Sequence, residues 1–121
     1  MCFSMEVITK GDFRVIELHG EYDVYAAPIV KEQIAAFFRS RKKALVIDLS
    51  DSDYADASGL GVMIAAQQKA KKRGRDLVVI NTNKALDRVF RITKLDHCFN
   101  IVGSLVDAEK FITAKNSTTQ T

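Results

Sequence analysis

The sequence predicts a single α/β domain in which a mixed β-sheet of four to five strands is packed with four helices. Two observations lead to this prediction. Residues 44–49 and 77–80 are apolar at successive positions, which is typical of interior strands that are covered on both faces. Residues 59–73 lie between these runs and have helical periodicity. A strand, a helix and a second parallel strand form a βαβ unit, whose crossover is right-handed.

Length and composition agree with one domain. The chain has 121 residues, of which 47% are apolar and 27% are charged, and this balance supports one hydrophobic core. The net charge of +3 is too small to indicate nucleic-acid binding. Cys2 and Cys98 lie near opposite ends with no CxxC pair, which favours a reducing compartment. Because the sequence shows no signal segment and no apolar run of about 20 residues, we expect a cytoplasmic protein that does not enter a membrane.

The first third of the chain is predicted to form a hairpin followed by a helix. Residues 5–9 and 13–19 alternate β-branched or aromatic residues with polar ones, and residues 10–12 supply a turn. Pro28 suits the first turn of a helix that we expect to run from about Ala27 to Arg39. The predicted buried stripe of this helix consists of Val30, Ile34, Phe37 and Phe38.

The rest of the chain is predicted to contain three helices and an edge strand. The helix over residues 59–73 is expected to end at Gly74, and Thr82 or Asn83 can cap the next helix. Residues 98–102 are expected to add a short edge strand, and Ser104 resembles the cap of a last helix. We expect the domain to comprise residues 1–114, followed by a disordered tail over residues 115–121 that has no apolar group to bury.

Residues 48–61, which leave a buried strand and enter the second helix, contain the most informative signal. Ser58 lies where the first backbone N–H groups of that helix lack partners and the helix dipole is positive. One interpretation is that Ser58 is a simple N-cap. The other is that Ser58 is phosphorylated, which would add a charge of about −1.5 to −2 beside Asp56 and Asp23.

Two separated motifs resemble STAS domains, specifically the bacterial anti-sigma factor antagonists. The first is Asp48-Leu49-Ser50 followed by residues 56–61, and the second is the Gly-x-x-Asp element formed by residues 20–23. The resemblance extends over nearly the whole chain and includes the predicted order of strands and helices. It therefore implies a STAS-type domain.

The resemblance also implies a function and a set of site residues. In that family, an anti-sigma factor that is itself an ATP-dependent serine kinase phosphorylates the residue matching Ser58. The unmodified protein binds the anti-sigma factor and frees a sigma factor. The phosphorylated protein dissociates from the anti-sigma factor until a serine phosphatase removes the phosphate. Ala57 departs from the family, which often has a hydroxyl residue there. The residues expected to contact the partner are Gly20, Glu21, Asp23, Asp56, Ala57, Ser58, Gly59, Leu60 and Gly61.

Enzymatic and metal-binding interpretations have less support. The carboxylates at positions 48, 51, 53 and 56 match no metal motif, and Ser58 lacks the glycine two residues ahead that a nucleophile elbow uses. We expect no catalytic role, no metal or cofactor, and no direct binding of ATP or nucleic acid. His19 and His97 are assigned no function. The alternative function is a constitutive STAS interaction subunit, either a stressosome-like component or an accessory subunit of a lipid transporter.

Two basic clusters, over residues 39–43 and 69–75, lie at the C-terminal ends of the first two helices. Cations at those positions complement the negative ends of the helix dipoles. Under the βαβ prediction both clusters lie at the end of the sheet opposite Ser58, where they could form a second, weaker docking surface for acidic protein or nucleic acid.

Overall fold

A computed structural model describes residues 2–119 and contains one mixed sheet of five strands, as predicted. The strands lie in the order β1-β2-β3-β4-β5, with β1 antiparallel to β2 and every other neighbouring pair parallel. The strands are β1 (Ser4–Lys10), β2 (Phe13–Tyr22), β3 (Ala44–Ala55), β4 (Asp76–Ile80) and β5 (Asn100–Val102).

Four helices cover the two faces of this sheet. They are α1 (Ala27–Arg39), α2 (Ala57–Lys72), α3 (Lys84–Ile92) and α4 (Leu105–Thr119), and a short 3₁₀ turn spans Leu95–His97. Side chains of α1, α2 and α3 pack on one face of the sheet in the larger core cluster. On the opposite face, Ala108 and Ile112 of α4 pack against β2, β3 and β4 in a smaller cluster. The bounds of α1 and its buried stripe are as predicted.

The strands β2 and β3 extend further than their apolar runs indicated. Their pairing reaches Tyr22 and Ala55 and includes two irregularities, one between Glu17 and His19 and one between Gly20 and Glu21. Such bulges change the direction of a strand and the orientation of the side chains near it. The ends of β2 and β3 therefore lie side by side, and the loops that lead into α1 and α2 start from the same edge of the sheet.

Three element boundaries differ from the sequence-based expectations. α2 begins at Ala57 rather than residue 59, because Asp56 caps it. The edge strand β5 is limited to three residues, since a 3₁₀ turn precedes it. The helix α4 runs to Thr119, past the predicted domain end at residue 114. The disordered tail over residues 115–121 stays a prediction. Lys115 Nζ lies 3.0 Å from Asp76 Oδ1, and this ion pair joins α4 to the start of β4. Residues 120–121 of the predicted tail lie outside the described residues.

Within residues 2–119, no helix combines the length and the apolar content that crossing a bilayer requires.

Candidate functional site

Asp56, and not Ser58, caps the second helix. The side chain of Asp56 accepts a hydrogen bond from the backbone N–H of Gly59 at 3.0 Å, and its carbonyl accepts from Leu60 at 3.0 Å. Ser58 therefore lies inside the first turn of α2 with an exposed side chain. Within the described residues its hydroxyl has no hydrogen-bond partner. The interpretation of Ser58 as an N-cap is wrong, and the hydroxyl is free to react or to contact another molecule.

Asp23 organises the loop before α1 in a similar way. Its Oδ1 accepts from the backbone N–H groups of Tyr25 and Ala26 at 3.0 and 3.1 Å. The two loops are joined because the N–H of Asp56 donates to the carbonyl of Tyr22 at 3.2 Å. Asp23 and Asp56, which the sequence predicted to flank Ser58, thus each fix a turn at the same edge of the sheet.

Tyr22 lies in the core beside the first turn of α2, and the sequence motifs did not predict its role. Its side chain is fully buried, and its ring packs against Gly59 so closely that a Cβ on Gly59 would come within 2.9 Å of it. Burial, and secondarily the charge of Asp56, raise the pKa of the Tyr22 hydroxyl far above its usual value. That hydroxyl is buried without a hydrogen-bond partner in the described chain. The available sequence signal was its place in the alternation of Ile16 and Leu18, which also face this core.

The predicted contact residues divide into exposed, half-buried and buried groups, and Asp23 and Asp56 form the half-buried group. Ala57, Ser58 and Gly61 are exposed, as is Glu21, so a partner can reach them. Gly59 and Leu60 are buried in the core beneath the first turn of α2.

Gly20 has a structural role that the sequence did not reveal. It is buried with a φ of +83°, and a Cβ at this position would collide with the backbone carbonyl of Cys2. Only glycine satisfies both conditions without strain.

A groove of about 400 Å³ lies between α1 and α2, and Ser58 is part of its lining. Its walls are mostly apolar, and the only charged side chains among them are those of two lysines. The residues that line it are Lys31, Ile34, Ala35 and Phe38 from α1, with Ser58, Gly61, Val62, Ala65, Ala66 and Lys69 from α2.

An exposed apolar patch lies on the loop and first turn that lead into α1. It consists of Val24, Tyr25 and Ile29, which are 53%, 84% and 50% exposed. Tyr25 and Ile29 also line a second cavity together with Asp23, at the edge of the sheet from which α2 begins. Three large apolar side chains exposed within six residues are typical of an interaction surface. The sequence patterns did not predict this patch, although Ile29 falls outside the predicted buried stripe.

The two basic clusters lie at the opposite end of the sheet from Ser58, as predicted. Asp76 N donates to Lys43 O at 3.1 Å where β3 and β4 begin. Several of these cations have structural contacts: Lys69 Nζ lies 4.8 Å from the ring centre of Phe38, and Arg75 donates to the carbonyl of Phe37 at 3.0 Å. A role as a second docking surface stays a prediction.

The two glycines at the start of α2 are expected to respond oppositely to alanine. Gly61→Ala should stabilise the fold by about 1 kcal/mol, because the added Cβ meets nothing within 4 Å and alanine favours the helix. Gly59→Ala should destabilise it by about 1 to 2 kcal/mol, because overpacking against the Tyr22 ring exceeds the same helical gain. Chemical denaturation of both variants measures the difference. Equal changes in the free energy of unfolding would show that Tyr22 does not constrain Gly59.

Comparison with known proteins identifies the family. The model of the STAS domain matches residues 4–108. The chain belongs to the STAS domain family. Among STAS domains it belongs with the bacterial anti-sigma factor antagonists, as the resemblance implied. The anti-sigma-B factor antagonist of Listeria monocytogenes serovar 1/2a is 37% identical over 102 residues, which cover 84% of this chain and 90% of the relative.

Solved structures agree with the STAS fold. An anti-sigma factor antagonist from Mycobacterium paratuberculosis superposes with a TM-score of 0.84 at 28% identity, covering 93% of this chain and 95% of the other. The Bacillus cell fate determinant SpoIIAA in its phosphorylated form superposes with a TM-score of 0.69 at 19% identity, covering 92% and 99%. The similarity to SpoIIAA, at 19% identity, shows only that the two chains share a fold.

Proposed function

We propose that this STAS domain is an anti-sigma factor antagonist that acts as a binding switch controlled by phosphorylation of Ser58. The unmodified chain binds an anti-sigma factor serine kinase in the cytoplasm and so releases a sigma factor for transcription. The kinase supplies ATP and phosphorylates Ser58, and a serine phosphatase reverses the modification. The chain itself has no catalytic role and contacts neither nucleic acid nor a membrane.

The observation that best supports this proposal is the free hydroxyl of Ser58 in the first turn of α2. Because Asp56 already caps the helix, the hydroxyl has no structural bond to give up when it is esterified. The positive end of the helix dipole favours a phosphate there. The names of the Listeria and Mycobacterium relatives support the assignment to anti-sigma factor antagonism.

The surface around Ser58 is suited to a protein partner. The exposed apolar patch of Val24, Tyr25 and Ile29 lies at the same edge of the sheet as the start of α2. Tyrosine is one of the residue types enriched among the few side chains that provide most of the affinity in protein interfaces. Asp23 and Asp56 keep negative charge at this edge, so a dianion at Ser58 would be unfavourable once the partner excluded water.

The modification is tested on protein purified from its native cells. Intact-mass analysis before and after phosphatase treatment should show one phosphate, and Ser58→Ala should remove that species. Ser50→Ala is the matched control, because Ser50 lies on the same segment and is expected to have no effect on the phosphate. A phosphate that persists in Ser58→Ala would contradict the site assignment.

The alternative, a constitutive interaction subunit, would use the same exposed patch without modification. The proteins that co-purify with the chain distinguish the two functions. A partner with a histidine-kinase-like ATPase domain supports the switch, whereas a membrane transport complex, together with protein that is never phosphorylated, supports the alternative.

A further inference from the structure

Three side chains with metal-binding atoms come together across the first two strands. Glu6 of β1 pairs directly with Glu17 of β2, and His19 lies two residues further along β2. The potential ligand atoms of these three residues all lie within 4.8 Å of one another. Alternate residues of a strand share a face, so Glu17 and His19 lie on the face of Val15, against which α4 packs. The cluster is therefore on the opposite face of the sheet from α1 and α2.

The bulge between β2 and β3 brings a fourth side chain to His19. Glu17 pairs with Asp48, and His19, two residues further along β2, pairs with Asp51, three residues further along β3. The strand β3 therefore contains one extra residue at this point. Asp48 Oδ1 accepts from the N–H of Ser50 at 2.9 Å and so holds the bulge. This arrangement gives the Asp48-Leu49-Ser50 motif a local structural role and places a carboxylate beside His19.

The two nitrogens of His19 have different surroundings. Nδ1 lies 3.2 Å from Asp51 Oδ2, so this carboxylate is placed to orient the ring. Nε2 is shielded from solvent and has no hydrogen-bond partner in the described part of the chain. A histidine whose second nitrogen donates to a carboxylate is the usual arrangement of a metal-bound histidine.

Glu6 and Glu17 face each other across the two strands. Like charges that face each other directly on paired strands are destabilising. Between residues 2 and 115, no lysine or arginine forms an ion pair with Glu6 or Glu17. A divalent cation between the two carboxylates would remove this repulsion and join the edge strand β1 to β2.

We propose that Glu6, Glu17 and His19 bind a divalent transition-metal ion of the zinc type, with Asp51 orienting His19. One imidazole nitrogen with two carboxylates suits Zn²⁺ better than Mg²⁺ or Ca²⁺, which prefer oxygen ligands alone. Ligand atoms around tetrahedral zinc lie about 3.4 Å apart, so the cluster must contract. Glu6 provides this movement, because it is exposed on the edge strand. The site departs from the expectation that the chain holds no metal, and it does not depend on Ser58.

Calorimetric titration of Zn²⁺ into the full chain at neutral pH tests the proposal. The starting protein carries Cys2→Ser and Cys98→Ser, because both thiols are free and exposed and could bind zinc themselves. One zinc ion per chain is expected. His19→Gln and Glu17→Gln should each weaken binding by about tenfold or more, and Asp51→Asn, which removes no ligand, by about 10- to 100-fold.

His97→Gln is the matched control, because His97 also has a neighbouring carboxylate, at 3.9 Å, but lies outside the cluster. Its zinc affinity should equal that of the starting protein. If His19→Gln fails to fold, the zinc affinity of Asp51→Asn tests the proposal instead. The Asp51 side chain is 71% exposed and contributes little packing, so this variant should fold. The proposal is overturned if no zinc binds up to millimolar concentration, or if Asp51→Asn binds it as tightly as the starting protein.

Discussion

Phosphorylation of Ser58 is expected to weaken binding of the anti-sigma partner by about 100-fold or more. The phosphate adds a charge of about −1.5 to −2 at the same edge of the sheet as Asp23 and Asp56. Losing water around that charge in an interface costs several kcal/mol, and about 2.8 kcal/mol corresponds to 100-fold in affinity. The fold itself should tolerate the modification, because the start of α2 accepts anions. The switch therefore works by changing a surface, without refolding.

Titration calorimetry with the cognate anti-sigma factor measures this effect. Unmodified chain and Ser58→Ala should bind with similar affinity, while Ser58→Glu should reproduce only part of the loss, because one carboxylate has less charge than a phosphate. Thr113→Glu is the matched control: Thr113 is exposed on α4, which packs on the other face of the sheet. If the phosphorylated and unmodified chains bind equally well, the proposed switch is wrong.

Removing the ring of Tyr22 is expected to be the most damaging change near the site. Tyr22→Ala should lower the free energy of unfolding by about 3 to 5 kcal/mol, because Tyr22 is among the largest fully buried side chains and its ring packs against Gly59 and Phe3. Tyr22→Phe keeps the ring and removes only a hydroxyl that has no hydrogen-bond partner in the described chain. Tyr22→Phe should leave the free energy of unfolding unchanged or raise it slightly. Urea denaturation of both variants measures these changes.

Tyr22→Phe should also change the response to alkali. The pKa of the Tyr22 hydroxyl is raised in the folded state, so above about pH 10 the unfolded chain loses this proton while the folded chain keeps it. The contribution of Tyr22 to stability is therefore constant below about pH 10 and decreases as the pH rises further. Tyr22→Phe removes this part of the alkaline loss. An unchanged stability profile above pH 10 would show that Tyr22 ionises equally in both states.

The sequence was most informative where local patterns and burial agree. The apolar runs of β3 and β4 have to be covered on both faces, which already requires helices on either side of a parallel pair. Pro28 and the periodic stripe defined α1 to the residue. Asn83 caps α3 and Ser104 accepts from Asp107 N at 3.1 Å, as the capping patterns indicated. These features are local, so short stretches of sequence contain them.

Other features depend on residues that are distant in the chain. No local pattern shows that Tyr22 fills the space beside Gly59, that the carbonyl of Cys2 excludes a side chain at Gly20, or that Lys115 of α4 pairs with Asp76. Ser58 was the only cap considered from the sequence, although aspartate caps helices equally well. The path of the chain after β3 places Asp56 at the cap position.

By itself, the sequence determined the fold class, the order of the elements and the position of Ser58 near the start of a helix, because these follow from periodicity, capping and family motifs. Tertiary structure decided that the Ser58 hydroxyl is free, that Val24, Tyr25 and Ile29 are exposed at the same edge of the sheet, and that Glu6 faces Glu17 and His19. The physical reason is strand register: pairing between separate segments determines which side chains become neighbours, and no single segment encodes it.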